Sequence, residues 1–374
     1  VKNTALFLII MLSHGIFAQN SQFKIELYAP GYEKDSLFIS PPMSGGNTQK
    51  IYGFTADSGP SITVMKDFNT IIVKKNRNFT ISGEIPYPQP IAISYYDAKI
   101  NGGYSTQPLF LEKGTINVEV KRAADNNMDY ILHSGSPANT EYKAMKAQLK
   151  TYDDKLKPFQ ENDPKDIEAK QAFLQKYISK NPGSYVAFWE IVSDFSQYSF
   201  NTSYLKSLAL FSPEVQKTFS YKEFKKMMNT ENSTNVGGKF PEIIFNEKEK
   251  LSARDFSGSS LTLIDYWSTT CKPCIQDLPK LVTLYTKYKS QGVNFISVTD
   301  EKDPKRIETA NHILEKNQVT WKNYFDILKE FPKKLNAAGY PLQILVDSNG
   351  TIIAREMGAL DTIETKMQNY LSKQ

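Results

Sequence analysis

The chain is poor in the residues that build metal centres and disulfide frameworks: its 374 residues include two cysteines and three histidines. A structural zinc site takes four ligands, and beyond the first eighteen residues only His133 and His312 could join the cysteines. A haem attachment site needs His directly after the second cysteine, where Ile275 stands. A copper site would again want a nearby His. No metal and no cofactor is expected. An excess of charge of one sign is also small. The net charge is +5 with the lysines spread along the chain, which gives no footprint for nucleic acid. Beyond the N-terminal segment no apolar run nears the ~20 residues of a membrane span. Internal repeats and low-complexity segments are lacking too.

What is present is the spacing of those two cysteines, Cys271-Lys272-Pro273-Cys274. A disulfide over so short a loop adds little stability, so a structural bridge is a weak reading and thiol–disulfide exchange the leading one. The flanks agree. Leu261–Trp267 is short, apolar and rich in β-branched and aromatic residues, as a buried strand should be. After Cys274, the residues Leu278, Leu281, Val282, Tyr285 and Tyr288 recur at helical spacing. The pair is therefore predicted where a strand ends and a helix begins, and unpaired N–H groups at a helix N-terminus stabilise a thiolate. Cys271, capping the helix, is expected to be the nucleophile and Cys274 the resolving thiol, with the Cys271 pKa below the ~8.5 of a free thiol. Asp265 is an acid in an otherwise apolar strand. Either it is buried with a raised pKa, fit to take the proton of Cys274, or it is exposed at a frayed strand end.

Four regions follow from the pattern. Residues 1–18 carry one charge and an apolar run and read as a signal peptide for export to the bacterial envelope or periplasm. Residues 19–136 alternate polar and apolar in short runs, such as Phe23, Ile25, Leu27 and Ile116, Val118, Val120, which predicts a small antiparallel β sandwich or barrel. Residues 137–232 turn helical. Asp163-Pro164 starts a helix whose apolar face is Ile167, Phe173, Leu174, Tyr177 and Ile178; another is expected over Pro213–Met228, and Asn229–Gly238 reads as a linker. Residues 233–374 read as an α/β domain with strands at Phe240–Phe245, Leu261–Trp267, Val293–Thr299, Leu342–Asp347 and Thr351–Glu356. Its last helix is expected to be capped by Asp361 with Glu364.

At Pro241, Asp265-Tyr266-Trp267, Cys271-Lys-Pro-Cys274, Asp277, Pro279, Gly339-Tyr340-Pro341 and Leu342–Asp347 the C-terminal third resembles the TlpA/ResA-like thiol–disulfide oxidoreductases of the bacterial envelope. The resemblance implies a thioredoxin-like fold for that third. It also implies a redox-active Cys271–Cys274 dithiol, Asp265 as the acid beneath it, and Pro341 as a cis-proline facing it. Trp267, Lys272, Pro273 and Tyr340 would be the partner-contacting residues. The partners implied are client proteins with disulfides and a membrane electron donor, and one family role is cytochrome c maturation. The N-terminal β domain and helical region more loosely resemble the N-terminal half of larger envelope members, of unassigned role. Departures fall on the docking surface: Thr270 where the family often has Trp, Ile275 where a basic residue is common, and Leu342 for a common Thr. Two alternatives stand beside this reading. A peroxiredoxin-like peroxidase would place Pro seven residues before its cysteine, where Ile264 stands, although Ser268 fits at three before. An envelope binding protein with an incidental dithiol is the non-enzymatic alternative.

Overall fold

The computed structural model describes residues 22–32, 36–42, 48–66, 70–74, 77–98, 102–123, 128–160, 162–358 and 360–373. The expected leader, residues 1–18, lies outside them. Two compact units divide the chain, Val1–Phe224 and Lys225–Gln374, the division falling inside the helix Phe219–Thr234.

In the first unit, alternation becomes two sheets. One has the order Met128–Leu132, Gly114–Arg122, Gln22–Tyr28, Asn78–Glu84, Thr55–Ala56. The other runs Ile62–Met65, Thr70–Val73, Leu37–Ser40, Gln89–Asp97, Gly102–Ser105, with Leu109–Leu111 also paired to Gln89–Asp97. Phe23, Ile25 and Leu27 of the first sheet and Leu37, Ile39, Ile91 and Ile93 of the second share one apolar core, the sandwich the pattern predicts. One pairing departs from the antiparallel expectation: Gln22–Tyr28 runs parallel to Gly114–Arg122, with Ile25 opposite Ile116.

Helices complete this unit. Ser136, Asp163 and Ser184 each accept a backbone N–H at the start of Pro137–Asp153, Pro164–Lys180 and Tyr185–Tyr198. Asn139 ties the first helix to the sheet by exchanging two hydrogen bonds of 2.7 Å with the Phe110 backbone. On the second helix Ile167, Leu174 and Ile178 are buried as expected, but Phe173 and Tyr177 are only partly so. Lys170 and Gln171 take interior places instead. The Lys170 ammonium is satisfied by Asp153, Glu190 and Asp194 at 2.6, 2.8 and 2.5 Å. The helix expected over Pro213–Met228 is two, Pro213–Gln216 and Phe219–Thr234. Thr218 breaks it by bonding back to the Val215 carbonyl and accepting the N–H of Tyr221. The second of these helices continues through most of the expected linker, to Thr234.

The second unit holds a five-stranded sheet in the order Lys322–Phe325, Val293–Thr299, Leu261–Trp267, Leu342–Asp347, Ile352–Met357. The first three strands are parallel and the last two antiparallel to their neighbours. All seven residues of the central strand Leu261–Trp267 are buried. Leu261, Leu263 and Trp267 face a core built with Leu278, Leu281, Ile363 and Met367 of the flanking helices. Ile264 and Tyr266 face the opposite core, with Phe240, Phe331 and Leu335. Two expectations are corrected and one strand is added. Phe240–Phe245 contributes only Ile243–Ile244, paired with Lys250–Leu251 outside the main sheet. The edge strand Lys322–Phe325 has no apolar alternation and none of its residues is fully buried, so its sequence carries no strand signal. Asp361 lies inside the helix Leu360–Leu371 and is ion-paired to Lys280, so it does not cap that helix.

Candidate active site

The parallel strands of the second unit deliver their C-terminal ends to one edge of the sheet, and the expected site residues gather there. Trp267 ends the central strand opposite Thr299, and Leu342 begins the neighbouring antiparallel strand opposite Tyr266. The loop to Cys271, the dipeptide Asp300-Glu301 and Pro341 all leave from that edge.

Ser268-Thr269-Thr270 carries the chain from the strand to Cys271, which caps the helix Lys272–Tyr288. The Cys271 N–H donates to the Ser268 carbonyl at 3.0 Å, and the Cys274 N–H donates to Cys271 Sγ at 3.2 Å. Pro273 lies in the first turn, where no intrahelical N–H is required of it. A disulfide joins Cys271 and Cys274, with Cα atoms 5.3 Å apart. Cys271 is 9% exposed and Cys274 3%, so the first sulfur lies nearer solvent. Lys272 and Pro273 between them are exposed.

Asp265 is buried, which excludes the frayed-end alternative. It stands between Leu263 and Trp267 on the alternating side that faces the core containing both cysteines. Gln343, directly across the sheet, donates its Nε2 to Asp265 Oδ1 at 2.9 Å. Burial pushes the Asp265 carboxyl up to about 7; the Gln343 bond pulls it down and the Asp277 carboxylate raises it further. A buried carboxyl titrating near neutrality can hold or release a proton. Asp277 is also shifted upward, chiefly by burial.

The Tyr340-Pro341 peptide bond is cis. Pro341 is buried, and the half-buried Tyr340 packs against the core that includes Cys271 and Cys274. Its phenol donates to Asp300 Oδ2, and Lys329 pairs with the same carboxylate. Trp267 does not suit the partner-contact role expected of it. Its ring is fully buried and its Nε1 lies 3.4 Å from Asn323 Oδ1, so it presents no surface.

The structure thus brings Cys271, Cys274, Asp265, Tyr340 and Pro341 to one sheet edge, with Lys272 and Pro273 exposed beside them. Sequence reasoning missed Gln343, Asp300 and Glu301. Gln343 lies 78 residues from the carboxyl it orients, and its only signal was a polar residue in an apolar strand beside Pro341. Glu301 is buried, and one of its oxygens accepts from Ser268 Oγ, Thr269 N–H and Thr269 Oγ1 at 3.0, 3.0 and 2.5 Å. Among the described residues no group of three or more His, Cys, Asp or Glu could hold a metal ion. No described helix is long and apolar enough to cross a membrane.

Residues 235–371 match the family model described as Redoxin. Among curated proteins the chain is similar to the thiol-disulfide oxidoreductase ResA of Bacillus cereus. The two are 27% identical over 153 residues, spanning 40% of this chain and 84% of that protein. It is 21% identical over 105 residues to the sporulation thiol-disulfide oxidoreductase A of Bacillus subtilis, spanning 28% of this chain and 64% of that one. Among solved structures it aligns with a putative thiol:disulfide interchange protein DsbE from Chlorobium tepidum. That alignment has 22% identity, covers 37% of this chain and 99% of the other, and has a TM-score of 0.33.

Proposed function

We propose, from the premise that the C-terminal part of this chain is a TlpA/ResA-like thioredoxin-fold redoxin domain and the protein a thiol–disulfide redox enzyme, that it reduces or isomerises disulfides of client proteins in the bacterial cell envelope. One observation carries this reading. Two cysteines share the first turn of a helix, the first as its cap, at the end of a buried strand holding a carboxyl of pKa about 7.

In the reducing direction the Cys271 thiolate attacks one sulfur of a client disulfide. A mixed disulfide forms and one client thiolate leaves. Cys274 then gives its proton to the Asp265 carboxylate, and its thiolate attacks Cys271 Sγ. The Cys271–Cys274 disulfide forms and the second client thiolate departs. The client has gained two electrons and the enzyme has lost them, so a dithiol donor must restore the pair; the donor we propose is a membrane electron-donor protein. Lys272, Pro273 and Tyr340 form the surface offered to the client, and Pro341 is buried next to Tyr340. Export is supported by the apolar leader-like pattern of residues 1–18. In this reading residues 19–136 and 137–232 form a β module and a helical module ahead of the redox domain at 233–374.

The test is capture. Cys274→Ser leaves Cys271 able to attack but removes the resolving thiol, so the variant is expected to accumulate covalent complexes that dithiothreitol releases. Mass spectrometry of the released proteins identifies the clients. Complexes formed equally by Cys271→Ser, or none with Cys274→Ser, would overturn the reading.

A further inference from the structure

We propose that Asp300 and Glu301 are positioning residues that hold the two walls of the dithiol site at a fixed separation, an inference that rests on the function proposed above. These residues follow the strand Val293–Thr299 and are fixed by backbone bonds. The Asp300 N–H donates to the Trp267 carbonyl at 2.8 Å and the Glu301 N–H to that of Thr299 at 3.0 Å. Their side chains serve different partners. Glu301 takes the cysteine wall: one carboxylate oxygen collects the Ser268 hydroxyl, the Thr269 N–H and the Thr269 hydroxyl. Ser268 in turn holds Cys271 through its carbonyl, so three donors on one buried anion fix the loop that delivers the nucleophile. Asp300 takes the proline wall, where it accepts the phenol of Tyr340, the residue before Pro341.

The surroundings fit this division. Lys329 neutralises Asp300, and Arg306 Nη1 lies 4.0 Å from Glu301 and 3.4 Å from Thr269 Oγ1. Both cations are about half-exposed, whereas the carboxylates they face are largely covered. Neither acid touches a sulfur in any hydrogen bond described, so both act through what they hold. Charge-assisted bonds of this kind are short and directional, which suits them to positioning. A client strand approaching Cys271 and Tyr340 thus meets two segments held by adjacent residues on one support.

The two arms should separate in kinetics. Reaction geometry is sensitive to small displacements, so Glu301→Ala is expected to lower kcat for insulin-disulfide reduction about tenfold or more with KM little changed. Glu301→Gln keeps an acceptor oxygen and should return kcat to within about threefold of the wild type. Tyr340→Phe frees the proline wall alone and should raise KM about threefold while sparing kcat. Glu301→Ala within about twofold of the wild type in kcat, or Gln no better than Ala, would overturn the proposal. So would Tyr340→Phe with an unchanged KM. If Glu301→Ala does not fold, Thr269→Val removes one donor at nearly constant shape and should lower kcat about threefold; wild-type kinetics in that variant would overturn it equally. Failure of the functional reading has a different signature, namely a wild-type protein without turnover that Cys271→Ser abolishes. In that event the Cys271 alkylation rate by iodoacetamide, which needs no client, decides the clamp: an equal rate in the wild type and Glu301→Ala overturns it.

Discussion

At the scale of single residues, Asp265 is the group whose titration reaches both stability and chemistry. Its folded-state pKa of about 7 lies above the ~3.9 of an unfolded Asp. The folded protein therefore keeps a proton that the unfolded chain releases between those values. Stability falls as pH rises from about 4 to about 7 and stays lowered above. Asp265→Asn keeps an oxygen to accept the Gln343 amide and has no charge to bury. It is expected to gain on the order of a few kcal/mol over the wild type at pH 8, a gain that fades toward pH 4, as urea denaturation at several pH values would read. The same variant should form mixed disulfides at nearly the wild-type rate and resolve them slowly, because Cys274 has lost its proton acceptor. Single-turnover kinetics separate the two steps; unchanged resolution would remove Asp265 from the proton path. The cysteines and this acid were legible because each stands out in its own neighbourhood: a pair three apart, and one charge in an apolar strand. Gln343 and Glu301 were not. Their roles exist only through partners 78 and 33 residues away, brought together by sheet register.

At the scale of elements, what was legible depended on how local the signal is. The helix announced by a side-chain cap at Asp163 begins where the sequence places it, because the cap and the N–H it accepts lie two residues apart. The strands Leu261–Trp267, Val293–Thr299 and Leu342–Asp347 have the expected bounds, because each is a short, mainly apolar run that is almost wholly buried. The polar stretch after Met228 misled, since Asn, Ser and Thr are weak helix formers and tertiary contacts supply what propensity lacks. Glu231 shows how. It is buried, pairs with Arg355 at 3.2 Å and accepts the Asn336 amide at 2.6 Å. Burial raises its pKa, and Arg355 and Asn336 oppose that shift. Removing one partner of a well-buried pair costs about 3–5 kcal/mol. Because Arg355 keeps some solvent contact, Glu231→Ala should cost about 2–3 kcal/mol in guanidinium unfolding followed by tryptophan emission. Glu231→Met with Arg355→Met should recover most of it; a single variant as stable as the wild type would show the pair to be decorative.

At the scale of the whole molecule, the two units differ in what their interiors are made of. The first combines a sandwich core with a buried cluster in which Lys170 answers three carboxylates, an arrangement that fixes a fold without reacting. The second buries Asp265 and Glu301 near the edge where the cysteines lie, besides the Glu231–Arg355 pair. Its redox pair has Pro273 before the second cysteine and no His between the two, and Lys272 is exposed, so its charge is screened. The helix N-terminus and the Cys274 N–H are then what stabilise the Cys271 sulfur. A potential between about −270 and −180 mV is expected, the span from thioredoxin to protein disulfide isomerase. Equilibration against glutathione measures it, and a value near the ~−120 mV of a strong oxidant would reverse the direction proposed for the enzyme.

The bridge between Cys271 and Cys274 encloses only Lys272 and Pro273, so opening it releases almost no chain. Oxidised and reduced forms can therefore unfold to nearly the same ensemble, and a closed thermodynamic square connects the four states. Around it, the extra stability of the reduced fold over the oxidised one equals the gap between the folded pair's potential and that of the same pair in the unfolded chain. Each 30 mV by which the folded pair is the more oxidising adds about 1.4 kcal/mol to the reduced fold. Two denaturation curves, one recorded with excess dithiothreitol and one without, thus form an electrochemical measurement made with no electrode. Their difference, added to the potential of the same pair in the unfolded chain, must agree with the glutathione value.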